Sequence, residues 1–164
     1  MRYSKTYELF TDYSQFWLHD VGADVNQTVD MWDDESSARM MAVRPDIVCV
    51  GTIRNSRAPV TIEIADTEPS EAPPGAWDQI NECSLLIPVG SLIIHDDILG
   101  ETGSHETLSL PPGCYRVRVY YGDLDAQHSA LEGDDHYLVV LWPGGQMEPR
   151  VIKQKPTRKN DRAA

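Results

Sequence analysis

The chain has 164 residues, 41% of them hydrophobic, and a formal net charge of −12. This length and apolar content fit one folded domain around a single core and exclude a chain that stays disordered. A strongly acidic body lacks the clustered Lys and Arg that phosphate binding requires, which argues against DNA and anionic membranes and in favour of basic protein partners.

In chain order, the predicted elements are short strands separated by turn residues. An edge piece near Tyr7–Phe10 precedes a first strand at Phe16–Leu18. DDESSARMMA, from Asp33 to Ala42, reads as a short helix whose acids sit in the first turn, where they complement the dipole. Asp46–Ile53 and Pro59–Ala65 read as two strands joined by RNSRAP, which has the Asn, Ser and Pro of a hairpin connection. In the second of them Val60, Ile62 and Ile64 share one face, the pattern of a half-buried strand.

TEPSEAPPGAWDQ, from Thr67 to Gln79, is expected to be a long loop because of its three prolines and glycine. Glu82–Val89 and Ser91–His95 follow as strands, with Pro88 and Gly90 marking a bend or bulge between them. Glu106–Leu110 leads into the turn signal LPPG. Cys114–Tyr121 is the clearest strand, with Val117 and Val119 opposing Arg116, Arg118 and Tyr120. An acidic loop runs from Gly122 to His136, and Tyr137–Trp142 reads as a central strand stopped by PGG.

From Lys153 onward, KQKPTRKNDRAA carries five basic residues and one acidic one, so residues 1–152 hold a net −16. The expected organisation is a single domain over residues 1–152 and a basic tail without fixed structure over 153–164. About eight strands at intervals of roughly ten residues, with one short helix, predict an all-β fold, an antiparallel β-sandwich or jelly roll.

No stretch is long and apolar enough for a transmembrane helix. MRYSKTYELF has no apolar signal core, so a cytoplasmic location is expected. Cys49, Cys83 and Cys114 are odd in number and widely spaced in strand-like contexts, as expected of buried free thiols in a reducing compartment.

The chemical motifs are sparse. No phosphate-binding glycine loop, nucleophile elbow or CxxC pair is present, so no cofactor is expected. One cluster stands out in GSLIIHDDILGETGSHE, where His95, Asp97, Glu101 and His105 have the side chains of a divalent-metal site. A jelly-roll metal-dependent enzyme or small-ligand binder using these four residues is therefore an alternative reading. Against it, alternation puts Ile93 and His95 on one strand face and Ile94 and Asp96 on the other. The strand is then expected to end near Asp96, leaving the carboxylates in a solvated loop.

A second group of acids, including Asp123, Asp125, Asp134 and Asp135, crowds the loop before Tyr137. If this loop lies beside Asp96 and Asp97, the six aspartates form one negative patch that steers a basic partner. Otherwise they are two independent solvated loops.

Three pieces of the chain resemble the competence protein J family. They are TDYSQFWLHD, with Tyr13, Gln15 and Phe16 and followed by Trp32; IRNSRAPVTIEI, with Arg54 and Asn55; and LPPGCYRV, with Leu110, Pro111, Gly113 and Tyr115. Their order and spacing are similar over about Tyr13 to Pro143. The family includes small acidic β-proteins that bind and block a DNA-uptake nuclease. The resemblance implies a non-enzymatic inhibitor or immunity-type protein whose basic partner is a nuclease or toxin. The matched positions read as structural, with Tyr13, Phe16 and Trp32 packing and Asn55 and Gly113 in turns. The Pro-rich loop, the acidic loop at 122–136 and the basic tail depart from the family pattern.

Overall fold

A computed structural model describes residues 3–28, 30–96, 105–125 and 132–155. Two sheets face each other. The larger, sheet A, contains β1 (Tyr3–Phe10), β5 (Arg57–Ile64), β10 (His136–Pro143), β9 (Gly113–Gly122), β6 (Gln79–Ile87) and β11 (Arg150–Lys153), in that spatial order. The smaller, sheet B, runs β3 (Met41–Arg44), β4 (Ile47–Gly51), β2 (Gln15–Asp20), β7 (Ser91–His95) and β8 (His105–Ser109). Every described pairing is antiparallel except that of β5 with β10. The all-β sandwich expected from the sequence is present.

The inner faces supply the core. Phe16 and Leu18 of β2, Val48 and Val50 of β4, and Leu92 and Ile94 of β7 meet Val60 and Ile62, Leu85 and Ile87, and Val117 and Val119 of sheet A. Phe16 packs edge-on against Tyr137 at 6.0 Å, and Tyr137 against Tyr121 at 5.8 Å. Burial raises the hydroxyl pKa of both tyrosines well above its usual value, so both remain neutral donors.

Both outer faces also carry an apolar cluster. On sheet B, Trp17, Ala42, Ile47 and Cys49 pack with Met31 and Trp32 from the segment around α1 (Asp34–Arg39). This is why β4 is buried along its whole length. On sheet A, Tyr120, Val140 and Trp142 lie with Ala72 and Trp77 of the Pro-rich loop.

The helix is shorter than its sequence pattern. Asp33 is its N-cap, accepting from the Ser36 backbone N–H while the Ser36 hydroxyl accepts from the Asp33 N–H. Met40 ends it in the left-handed conformation at φ 61, so Met41 already belongs to β3 and is fully buried. The carbonyl of Arg39 accepts from Gln79 and Asn81, and that of Met40 from Tyr121. These bonds supply the last turn's carbonyls with partners from sheet A.

The expected hairpin across RNSRAP is absent. β4 pairs with β2 and β3, β5 pairs with β1 and β10, and residues 52–56 cross from sheet B to sheet A. The bend at Pro88–Gly90 is a second crossing, from β6 to β7. Gly90 has φ +82, and a side chain there would lie 2.6 Å from the Leu110 carbonyl oxygen. β11 is a strand that the sequence pattern did not reveal, pairing with β6. The expected boundary between domain and tail therefore falls inside it, and Lys155 beyond it reaches Asp125 at 3.0 Å.

All three cysteines are free, with Cys49 and Cys83 buried and Cys114 half-buried. Burial pushes the Cys83 thiol up to about 12 and raises Cys49 as well, so neither is a thiolate nucleophile. Among the described residues no helix is long and apolar enough to cross a membrane.

Candidate functional site

Five chain segments gather at one end of the sandwich, as the strand register shows. Phe10, the last residue of β1, faces Arg57, the first of β5; Val60 of β5 faces Tyr137, and His136 faces Gly122 at the end of β9. In sheet B, Gln15 faces Gly51 and Trp17 faces His95. The turn at 11–14, the crossover at 52–56, the two sides of the 123–135 loop and the end of β7 are thus neighbours.

The six predicted aspartates divide at this end. Asp123, Asp125 and Asp134 are exposed. Asp123 sits at φ 52 with its carboxylate 3.7 Å from His136, and Asp125 pairs with Lys155. Asp97 lies outside the described residues. Asp96 and Asp135 are corrections to the surface reading: Asp96 is 6% exposed and Asp135 is fully buried. Asp96 continues the inward row of Leu92 and Ile94 instead of opening into a solvated loop.

Asp135 is the hub of a buried polar network. Its carboxylate lies 2.7 Å from Arg54 Nε and accepts from the Tyr137 hydroxyl at 2.6 Å. Its carbonyl accepts from Arg54 Nη2. The Tyr137 oxygen in turn accepts from the Ile53 backbone N–H at 2.9 Å. Thr11 and Thr52 hydroxyls donate to the Arg54 carbonyl, and Thr11 also to that of Ser56. Arg54, which the family resemblance singled out in a turn, therefore pins the sheet-to-sheet crossover to the start of β10.

Tyr13 is a further correction. Expected to pack, it is 79% exposed, whereas Phe16 is fully buried and Trp32 packs on the outer cluster of sheet B. Tyr13 and Ser14 both have φ 56. Two successive non-glycine residues in this region are strained, which a fold maintains only where surrounding contacts impose it. Here the Ser14 carbonyl accepts from Thr52 and the Thr11 N–H donates to Ser56. The strained turn holds an aromatic ring out into solvent.

The candidate metal cluster is only partly placed. His95 lies on the outer face of sheet B, its ring 6.2 Å from that of His19, and in register it faces His105. Asp97 and Glu101 lie outside the described residues. Among those described, no three His, Cys, Asp or Glu side chains converge to hold a metal.

Sequence reasoning missed a second polar network, on the outer face of sheet A. Glu82 is fully buried and faces Arg118 across the β6–β9 ladder. Its carboxylate receives Arg116 at 3.0 Å and Arg118 at 3.0 and 3.2 Å, and Arg150 approaches to 3.6 Å. Arg118 lies over the Trp142 ring at 5.0 Å and also reaches Glu68 of the Pro-rich loop at 2.6 Å. The outward alternation of Arg116 and Arg118 was visible in the sequence; the glutamate opposite them appears only with the register.

No protein-family model and no curated protein matches the chain. Two solved structures share its fold. ComJ, the inhibitor of the DNA degrading activity of NucA from Bacillus subtilis, is 17% identical with a TM-score of 0.66, over 88% of this chain and 99% of that one. The protein described as crocagin biosynthetic gene J is 18% identical with a TM-score of 0.53, over 87% and 96%. The chain has the fold of ComJ.

Proposed function

We propose that this protein is a nuclease inhibitor of the ComJ kind, acting in the cytoplasm by binding a basic nuclease. The likeness to ComJ along nearly the whole of both chains carries the reading. The contact surface is the strand end that displays Tyr13 beside the exposed Asp123, Asp125 and Asp134. An exposed tyrosine on an imposed backbone conformation is a suitable interface anchor, because Tyr buries a large rigid surface at little entropic cost. The carboxylates pair with Arg and Lys of the nuclease and steer its approach, occluding the groove that would hold DNA. Asp135 and Asp96 support this end from within and leave the contact set. The binding domain runs through β11, and the basic segment after Lys153 is its appendage.

The test is titration of purified protein into DNA-degradation reactions run with NucA and with the DNase fraction of the protein's own host. Stoichiometric loss of cleavage in either reaction is expected for the wild type. The carboxylate variant Asp123→Asn, Asp125→Lys, Asp134→Lys is expected to inhibit far less. Undiminished cleavage in both reactions at saturating wild-type protein contradicts the proposal.

A further inference from the structure

The outer face of sheet A holds a groove of about 750 Å³, within the size range of small-molecule sites. One wall is the Pro-rich loop, with Pro69, Pro73 and Pro74; the other is β11. Its floor is Ile80 and Tyr120, with Trp77 packed against Tyr120 at 5.4 Å. Arg118 and Arg150 line it from the polar side.

The groove lining carries a small positive excess, with Arg118, Arg150 and Lys153 against Glu68 and Glu71. Three arginines meet one buried carboxylate, that of Glu82. The second carboxylate on Arg118 comes from Glu68, whose side chain is 63% exposed. Arg150 is itself 60% exposed. A cationic edge beside an aromatic floor and a proline wall, in a protein of charge −12, selects an anion with an apolar body.

We propose that this groove is a binding site for an apolar carboxylate, and that Glu68 is the resident carboxylate such a ligand displaces. The ligand acid takes the Glu68 position on Arg118 and adds a contact to Arg150, while its ring or branched chain lies between Trp77, Tyr120 and the prolines. Displacement costs little, because an ion pair with so exposed a glutamate is weak. The site lies on the outer face of sheet A and adjoins the strand end through Trp77, whose ring is 5.3 Å from that of His136. A free small acid and the C-terminal carboxylate of a peptide present the same chemistry.

The test uses the full chain, with Trp fluorescence and calorimetry as readouts. The probes are 3-phenylpropionate, its amide, and the dipeptide acid acetyl-Pro-Phe. Saturable binding of one or both acids is expected, with the free acid favoured if the natural ligand is small and the dipeptide if it is a chain terminus. The amide should bind about tenfold more weakly, since it lacks the charge-assisted bond. Arg150→Gln should weaken acid binding, and Glu68→Gln should tighten it by removing the competitor. Glu68→Gln changes an exposed side chain and leaves the fold intact, so this arm does not depend on a fragile variant. Failure of both acids to saturate, equal binding of acid and amide, or weaker binding by Glu68→Gln would overturn the assignment.

Discussion

Asp135 and Glu82 are both fully buried and both paired with arginine, yet their surroundings differ in one respect. At the strand end, one arginine meets one aspartate, and the Tyr137 hydroxyl and the crossover backbone complete the network. Charge there is matched one to one. On the outer face of sheet A, three arginines share Glu82, and an exposed loop glutamate supplies the next anion. A balanced network fixes the chain path and offers a ligand nothing, whereas a cationic excess can attract one. The contrast assigns a structural role to the first network and a binding role to the second.

The largest effect should come from breaking the balanced network. Asp135→Ala leaves the Arg54 guanidinium, 12% exposed, without its carboxylate, and should cost about 3–5 kcal/mol as unfolding free energy in denaturant. Tyr137→Phe keeps the ring packed but leaves the Ile53 N–H and the Asp135 carboxylate each short of a partner, at a cost of about 1–3 kcal/mol. By contrast Glu68→Gln, at the open network, should change stability by no more than about 1 kcal/mol, because the carboxylate it replaces is mostly in solvent and Arg118 keeps Glu82. Equal losses for Asp135→Ala and Glu68→Gln would erase the distinction.

The smallest effect concerns the helix cap. The Ser36 backbone N–H, followed by its hydroxyl, holds the Asp33 carboxyl below its ordinary value. A depressed folded-state value contributes stability that is complete above the unfolded pKa of about 3.9 and is lost as pH falls through the lower folded one. The Tm difference between wild type and Asp33→Asn should therefore be present near neutral pH and shrink in acid below that range. A difference that is constant with pH would remove the carboxylate's charge from the account.

Much of the sandwich was legible because strand alternation is local. Val60, Ile62 and Ile64, and Val117 and Val119, face the core as their period of two requires. What lay hidden was non-local. Turn residues in RNSRAP indicate a reversal, but not that the next strand joins the other sheet. β11 is only four residues long, and its partner β6 lies some 70 residues earlier in the chain. Asp134 and Asp135 are adjacent and chemically identical, and only the positions of Arg54 and the Tyr137 hydroxyl separate an exposed carboxylate from a buried one. Tyr13 misled for a similar reason: an aromatic beside Phe16 reads as core until two left-handed residues turn it outward.

On the proposed function, the strand end bearing Tyr13, Asp123, Asp125 and Asp134 binds and blocks a nuclease. That claim is tested most directly by the inhibition curve of the carboxylate variant Asp123→Asn, Asp125→Lys, Asp134→Lys against a nuclease that the wild type inhibits, with unfolding followed on the same samples. Surface changes of this kind should each alter stability by no more than about 0.5 kcal/mol. The variant is expected to lie within about 1.5 kcal/mol of wild type in stability and to show a large loss of inhibition, with what remains less sensitive to salt. Full inhibition with an unchanged salt dependence would contradict it.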